Sequence, residues 1–336
     1  MTLAEEEIRS VLGSEGFADI ARVIPLQGDL SKRTYFRIEF SNPWQSHPSL
    51  ILCVHPDPRD PALSDFKAMA LMLAQNGLRV SNVVHEIISR GWLLETDVGA
   101  EDLQTFVSRQ LALHNDSGIQ DAYGQVLGMM VAFHAIPPGA PAAERQFDTE
   151  KLEWELNYLM ESLERFSVRA GFKYFLSFEL KMFFKSLCER LDQAEPKVMV
   201  HRDLHSKNVF QKDGQWALID FQDARMGLPW YDLVSLVYDP YVRIPRTLRE
   251  DLIKKFLSLS GRRFSENLFY MQALQRTLKA IGTYCAVLAL RSDAEYFRAL
   301  KQAIEYLEEI IQLGGFPDHT FLFCNSLRKA LGDREL

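Results

Sequence analysis

At 336 residues the chain is long enough for two domains or two lobes, at the usual ~100 to 200 residues each, and its core needs no disulfide or metal to support it. Apolar residues make up 47% and charged residues 25%, which excludes a disordered or fibrous chain, and a formal net charge of -7 argues against a nucleic-acid partner. Cys53, Cys188, Cys285 and Cys324 lie far apart without CxxC spacing, among apolar neighbours, and read as core thiols of a reducing cytosol rather than a zinc site.

The N-terminal MTLAEEEIRSVLG is acidic and amphipathic, without the basic start and apolar run of a secretory signal. The longest apolar stretches, such as Leu50 to Val54 and Cys285 to Leu290, fall far short of the ~20 residues a membrane helix needs. A cytoplasmic protein without membrane contact or an obligate protein partner is therefore expected. From Ala21 to Glu95, short β-branched and aromatic runs (ARVIPLQ, YFRIEF, LILCV, VVHEII, WLLE) predict five strands. One helix interrupts them, with Ser64 as N-cap, Phe66, Met69, Ala70 and Leu73 at helical spacing, and Gly77 as its stop. After Asp97 to Gly99 the period lengthens, and helical segments are predicted over 101–134, 148–195, 246–259, 264–290 and 294–313. Between Lys197 and Asp220 they give way to VMVH, a loop, NVFQ, a KDG turn and QWALID, a small hairpin. The expectation is an α+β protein: an antiparallel-sheet N-lobe over residues 1–97 and a mostly helical C-lobe over residues 98–336 that carries the hairpin.

The segment Val198 to Ala224, VMVHRDLHSKNVFQKDGQWALIDFQDA, carries the chemistry. Phosphoryl transfer from ATP needs a carboxylate to orient the acceptor hydroxyl and oxygen ligands to hold magnesium on the phosphates. His201, Asp203 and Asn208 form HxDxxxxN, and Asp220 ends the strand that returns after the turn. Closing the hairpin brings Asp220 toward Asn208, so that both oxygens face one metal site. An HRD alone is usually a solvated loop ion pair; the complete set is far more specific. His201 reads as a brace for the loop backbone rather than a base.

At these residues the sequence resembles the aminoglycoside phosphotransferase and choline kinase family, which has the bilobed protein-kinase-like fold. HRDLHSKN, LIDFQDA and YDLVSL followed by DPY look most like the bacterial kinases that phosphorylate N-acetylmuramate and N-acetylglucosamine at the anomeric hydroxyl. GDLSKRTYFR, from Gly28 to Arg37, and LQRTLKAIGTY, from Leu274 to Tyr284, extend the resemblance over nearly the whole chain. It implies ATP and magnesium as cofactors, Asp203 as base, Asn208 and Asp220 as metal ligands, and Asp232 as a buried brace of the catalytic loop. It also implies an ATP-dependent sugar kinase of cell-wall recycling.

Gly28 to Thr34 separates two strands and is the candidate phosphate flap, with Ser31, Lys32 and Arg33 as donors. WLLETDVG resembles the family's hinge and puts backbone near Glu95, Thr96 and Asp97 against adenine. One departure stands out: LILCVHP offers Cys53 and Val54 where protein kinases place a lysine, and the helix at 64–76 contains no glutamate. Either the chain is a nonhydrolysing nucleotide-binding module, or Lys32, Arg33 or Lys207 counters the phosphate charge; the intact base and ligands favour the second. On the acceptor side the candidates are Gln222, Asp223, Arg225, Asp239, Tyr241, and Arg276 with Lys279 on one helix face. Arg225, Arg243 or Arg276 is the expected partner of a lactyl carboxylate. An acidic pocket for a cationic aminoglycoside, or a choline-type cage from Trp154, Tyr158, Trp230, Tyr231 and Tyr238, are the alternatives.

Overall fold

In the computed structural model, which describes residues 4–26, 32–332 and 334, a helix α1 (Glu5–Ser14) precedes strands β1 (Ile20–Leu26), β2 (Thr34–Trp44) and β3 (His47–Val54). Helix α2 (Pro61–Gln75) and strands β4 (Val83–Ile87) and β5 (Trp92–Thr96) follow. A short β6 (Glu101–Asp102) leads into α3 (Leu103–Ala112), α4 (Asp116–Ala135), α5 (Thr149–Ala170) and α6 (Phe178–Gln193), then strand β7 (Val198–Val200). After β8 (Val209–Lys212), β9 (Gln215–Leu218) and β10 (Arg225–Gly227) come α7 (Trp230–Val237), α8 (Arg246–Ser260), α9 (Glu266–Leu290), α10 (Ala294–Gly314) and α11 (Asp318–Leu331). The fold is α+β. Its backbone clusters into two units, Met1–Ala100 with Phe210–Gln222, and Glu101–Val209 with Asp223–Leu336.

In the first unit the five predicted strands form one antiparallel sheet in the order β1-β2-β3-β5-β4. Alternation along the strands sends Phe36, Ile38, Leu50, Leu52 and Leu94 to one face, where they bury against Ile8 and Leu12 of α1. The acidic amphipathic start is thus a second helix on the sheet, with Glu5, Glu6 and Glu7 in the first turn where the helix dipole favours anions. The opposite face carries Tyr35, Cys53, Leu93 and Glu95, with Cys53 paired across from both Tyr35 and Leu93. Helix α2 begins three residues before the expected Ser64: Asp60 is its N-cap, accepting from the Ala62 amide at 2.9 Å, and Pro61 occupies the first turn. Ser64 instead donates back to the Pro61 carbonyl. Strands β8 and β9 pair around Asp213 and Gly214, whose φ values of 54° and 73° are those of a type I′ hairpin turn.

The second unit is helical. The predicted run 101–134 breaks into α3 and α4 because Asn115 caps α4 through Gly118, and the run 148–195 breaks after α5, where Gly171 adopts a left-handed C-cap. Helices α5 and α9 pack so closely that a Cβ on Gly282 would lie 2.8 Å from the Leu159 Cα. Beside them β7 and β10 pair antiparallel, with Arg225 opposite Val200. All four cysteines are buried and unbridged. Among the described residues no helix is long and apolar enough to cross a membrane.

The close approach of α5 and α9 predicts opposite signs for two Gly→Ala changes. Gly282→Ala should lower Tm, because the obstacle is backbone and neither helix can yield cheaply. Gly128→Ala in α4, where a Cβ meets nothing within 4 Å, should raise stability by the ~0.5 to 1 kcal/mol of helix propensity. Thermal unfolding of the two variants decides this, and an unchanged Tm for Gly282→Ala would mean that the helices are not held at this distance.

Candidate active site

In the second unit the loop after β7 is organised by one buried carboxylate. Asp232, fully buried on α7, accepts from the backbone amides of His201 at 2.8 Å and Arg202 at 3.0 Å, and lies 2.9 Å from His134 Nε2. Arg202 has φ 81°, an unfavourable conformation for a residue with a Cβ, and the paired amides hold it there. The strain places the next side chain, Asp203, against α9. Lys279 Nζ donates to Asp203 Oδ1 at 2.8 Å, and Arg276 Nη2 reaches the same oxygen at 3.4 Å. Arg276 is itself fixed by donating from Nε to Ser235 Oγ at 2.8 Å. Burial opposes ionisation of Asp203, but Lys279, Arg202 and Arg276 outweigh it and hold the carboxyl well below the usual range.

Asn208, in the turn just before β8, donates from Nδ2 to the Asp203 carbonyl at 2.8 Å, so the expected base and the expected metal ligand belong to one hydrogen-bonded loop. Burial lowers His205 to about 3, so its imidazole is neutral. Asp239 accepts the amides of Ser206 at 2.7 Å and Tyr241 at 2.9 Å, which commits it to supporting the same loop. Lys207 pairs with Glu295 at 2.7 Å and lies over the Tyr241 ring at 4.4 Å.

In the first unit Asp220 follows β9 with φ 61°, a left-handed conformation that aspartate tolerates better than most residues. Its Oδ1 accepts from Gln222 Nε2 at 2.8 Å. Arg33 is partly buried in the electrostatic field of Tyr35, Asp220, Cys53 and Glu95, which together outweigh burial and raise its pKa. Glu95 is buried against the Ser81 hydroxyl at 3.0 Å, and burial pushes it up to about 7. Thr96 takes the Asn82 amide on its hydroxyl. Asp97 is tied to Arg37 at 2.8 Å, Ser49 at 2.7 Å and the Gly99 amide at 3.0 Å. Lys32 is exposed, as is Thr34 at the start of β2; Gly28 and Ser31 lie outside the described residues. As prospective magnesium ligands Asn208 and Asp220 fit a hard cation by donor type: both offer oxygen, and the bond from Asn208 Nδ2 reserves the amide oxygen as its acceptor.

The three arginines expected for an anionic acceptor group separate. Arg243 is exposed and paired with Glu305, and Arg276 is committed to Ser235 and Asp203. Arg225 stands on β10, with Arg202 nearby and paired to Asp223 at 3.1 Å. The aromatic side chains form no single cage: Trp230, Tyr231 and Tyr238 are core residues, while Trp154 and Tyr158 stack together on α5 with centroids 5.7 Å apart. The sequence reading missed the ion pair of Lys279 with the Asp203 carboxylate, and Glu155, which accepts from Gln275 at 2.9 Å inside the helical core. Only the shared i, i+3 face of Arg276 and Lys279 hinted at the former.

The sequence profile of the phosphotransferase enzyme family matches residues 22–266. An N-acetylmuramate/N-acetylglucosamine kinase of Pseudomonas aeruginosa is 26% identical over 330 residues, covering 90% of this chain and 90% of that protein. A choline kinase structure from Cryptosporidium parvum Iowa II aligns with a TM-score of 0.63 at 14% identity, covering 95% of this chain and 100% of that one. A thermostable aminoglycoside phosphotransferase APH(4)-Ia variant, crystallised with ADP and hygromycin B, aligns with a TM-score of 0.58 at 16% identity, covering 94% and 100%. The profile spans most of the sequence and the loop from His201 to Asn208 lies within it, so the chain belongs to the phosphotransferase enzyme family and is a small-molecule kinase.

Proposed function

We propose that this kinase transfers the terminal phosphate of ATP to a sugar hydroxyl, the anomeric hydroxyl of N-acetylmuramate or N-acetylglucosamine. The observation that carries the reading is the Asp203 carboxylate, kept ionised by Lys279 and Arg276 at the end of a strained, braced loop. Such a carboxylate is a weak base. It suits an acceptor whose proton is comparatively acidic, and the anomeric hydroxyl is the most acidic on a sugar. Asp203 accepts a hydrogen bond from that hydroxyl, orients its lone pair toward the terminal phosphorus, and takes the proton as the new P–O bond forms and the bond to ADP breaks. The relative from Pseudomonas aeruginosa supports this choice of sugars.

Asn208 and Asp220 are the residues that would hold magnesium, which when bound neutralises phosphate charge. In place of the missing strand lysine we assign Arg33, which sits in the field of Asp220, Cys53 and Glu95. Lys32 is exposed and Lys207 is engaged with Glu295. Adenine would meet backbone near Glu95, Thr96 and Asp97. Gln222, Asp223, Asp239, Tyr241 and Arg276 remain the proposed surroundings of the acceptor, with Asp239 and Arg276 acting through the loop and the base. The N-lobe and C-lobe of residues 1–97 and 98–336 are proposed to supply nucleotide and acceptor chemistry respectively, and the enzyme to work in the cytoplasm in cell-wall sugar recycling.

Asp203→Asn should keep the fold and ATP affinity but lose most turnover. Lys279→Met should move the acid limb of kcat/KM to higher pH by roughly 1 unit, because removing the cation destabilises the ionised carboxylate and raises its pKa. An unmoved limb would refute that role for Lys279. Arg33→Met should lower turnover about 100-fold, more than Lys207→Met does, and the reverse order would assign the compensating charge to Lys207. For the acceptor, N-acetylglucosamine and N-acetylmuramate should release ADP while their methyl glycosides do not, and the product should be acid-labile, as a glycosyl phosphate is. Equal turnover of the methyl glycosides, or an acid-stable product, would leave a hydroxyl kinase but not an anomeric one.

A further inference from the structure

Around Asp203 the second unit gathers several cations. Arg202 acts electrostatically on Lys151, Arg225 and Lys279, and Arg276 acts on Lys279, against the carboxylates of Asp203, Glu155 and Asp223. Four of these cations have local occupations. Lys279 and Arg276 address Asp203, Arg202 pairs with Asp223, and Lys151 lies 3.7 Å over the Trp154 ring. Arg225 differs from the three that meet a carboxylate, and from Lys151 in being buried. Its side chain is buried, with the whole residue 8% exposed; its guanidinium lies 5.2 Å over Phe147, and its one hydrogen bond is from Nε to the Asp223 backbone carbonyl at 3.3 Å. Among the described residues it makes no ion pair, and the strongest neighbouring charge it feels is that of another arginine, Arg202, ahead of Glu155 and Asp223. Burial and that neighbour both hold its pKa below the usual arginine value.

A buried guanidinium without a carboxylate is costly, and proteins keep such a group where a ligand completes the pair. Two anions can come near: the phosphate in transfer, and a carboxylate on the acceptor. The backbone favours the acceptor. Arg225 pairs across β10 and β7 with Val200, so it is fixed on the strand that leads directly into His201, Arg202 and Asp203, the loop that receives the acceptor hydroxyl. Phe147 beneath it supplies a flat, apolar floor, itself stacked on Tyr231 at 4.3 Å. We infer that Arg225 is the carboxylate receptor of the acceptor site and sets a preference for anionic sugars over neutral ones. This rests on the proposed sugar-kinase reading, and it selects within that reading the sugar that carries a lactyl carboxylate.

The test measures kcat/KM for N-acetylmuramate, for its methyl ester and for N-acetylglucosamine, in the wild type, Arg225→Gln and Arg225→Lys. In the wild type the acid should exceed the ester about 10- to 100-fold, the range expected for a hydrogen-bonded charged pair. Arg225→Gln should collapse the acid-to-ester ratio toward one, and Arg225→Lys should restore part of it. If Arg225 serves the transferred phosphate instead, all three acceptors lose activity in parallel and the ratio survives, which overturns the inference. The wild-type comparison of acid and ester needs no variant to fold, and equal rates there overturn it as well. Phosphorylation of neither sugar by the wild type would defeat the sugar-kinase reading itself, and the inference with it, an outcome distinct from both.

Discussion

The loop after β7 depends on one buried carboxylate. Asp232 is fully buried, and a buried anion is costly unless its oxygens are used. Here they take two consecutive backbone amides and face a histidine ring nitrogen. Those two bonds hold Arg202 in a backbone conformation it would otherwise leave, and the turn thus enforced aims Asp203 at α9. The strain is local, and the rigid helical core offsets its cost.

Helix α9 is then more than scaffold. One of its faces carries Arg276 and Lys279 to the Asp203 carboxylate, and Gly282, three residues after Lys279 on the same helix, lets it lie against the backbone of α5. Helix α5 brings Lys151 and Glu155 to the same neighbourhood. The position of the charges is therefore set by how closely two helix backbones approach. A small side chain at one crossing fixes the electrostatics at another.

Much of this was legible from local sequence. The five strands, the KDG hairpin and the HRDLHSKN loop are specified by alternation, turn chemistry and spacing within short windows, and they appear where those signals lie. The start of α2 was misread because Ser64 and Asp60 are both good caps, and Pro61, which cannot donate from its nitrogen, suits the first turn after Asp60. The amphipathic pattern of α1 was visible, but not the sheet face that covers it. The pairing of Lys279 with Asp203 was beyond reach, because it joins residues 76 apart and depends on helix docking rather than on any motif. The same holds for Arg225: its identity was readable, but that no carboxylate among the described residues pairs with it is a property of three dimensions.

The substitution at Cys53 also bears on how such an enzyme can be detected. Reagents that report kinase nucleotide sites by acylating the strand lysine need a nucleophilic amine there. This chain offers a thiol that burial pushes up to about 12 and a guanidinium at Arg33 that stays protonated. Neither reacts readily with an acylating group. A probe that depends on an amine at this strand position would find none here.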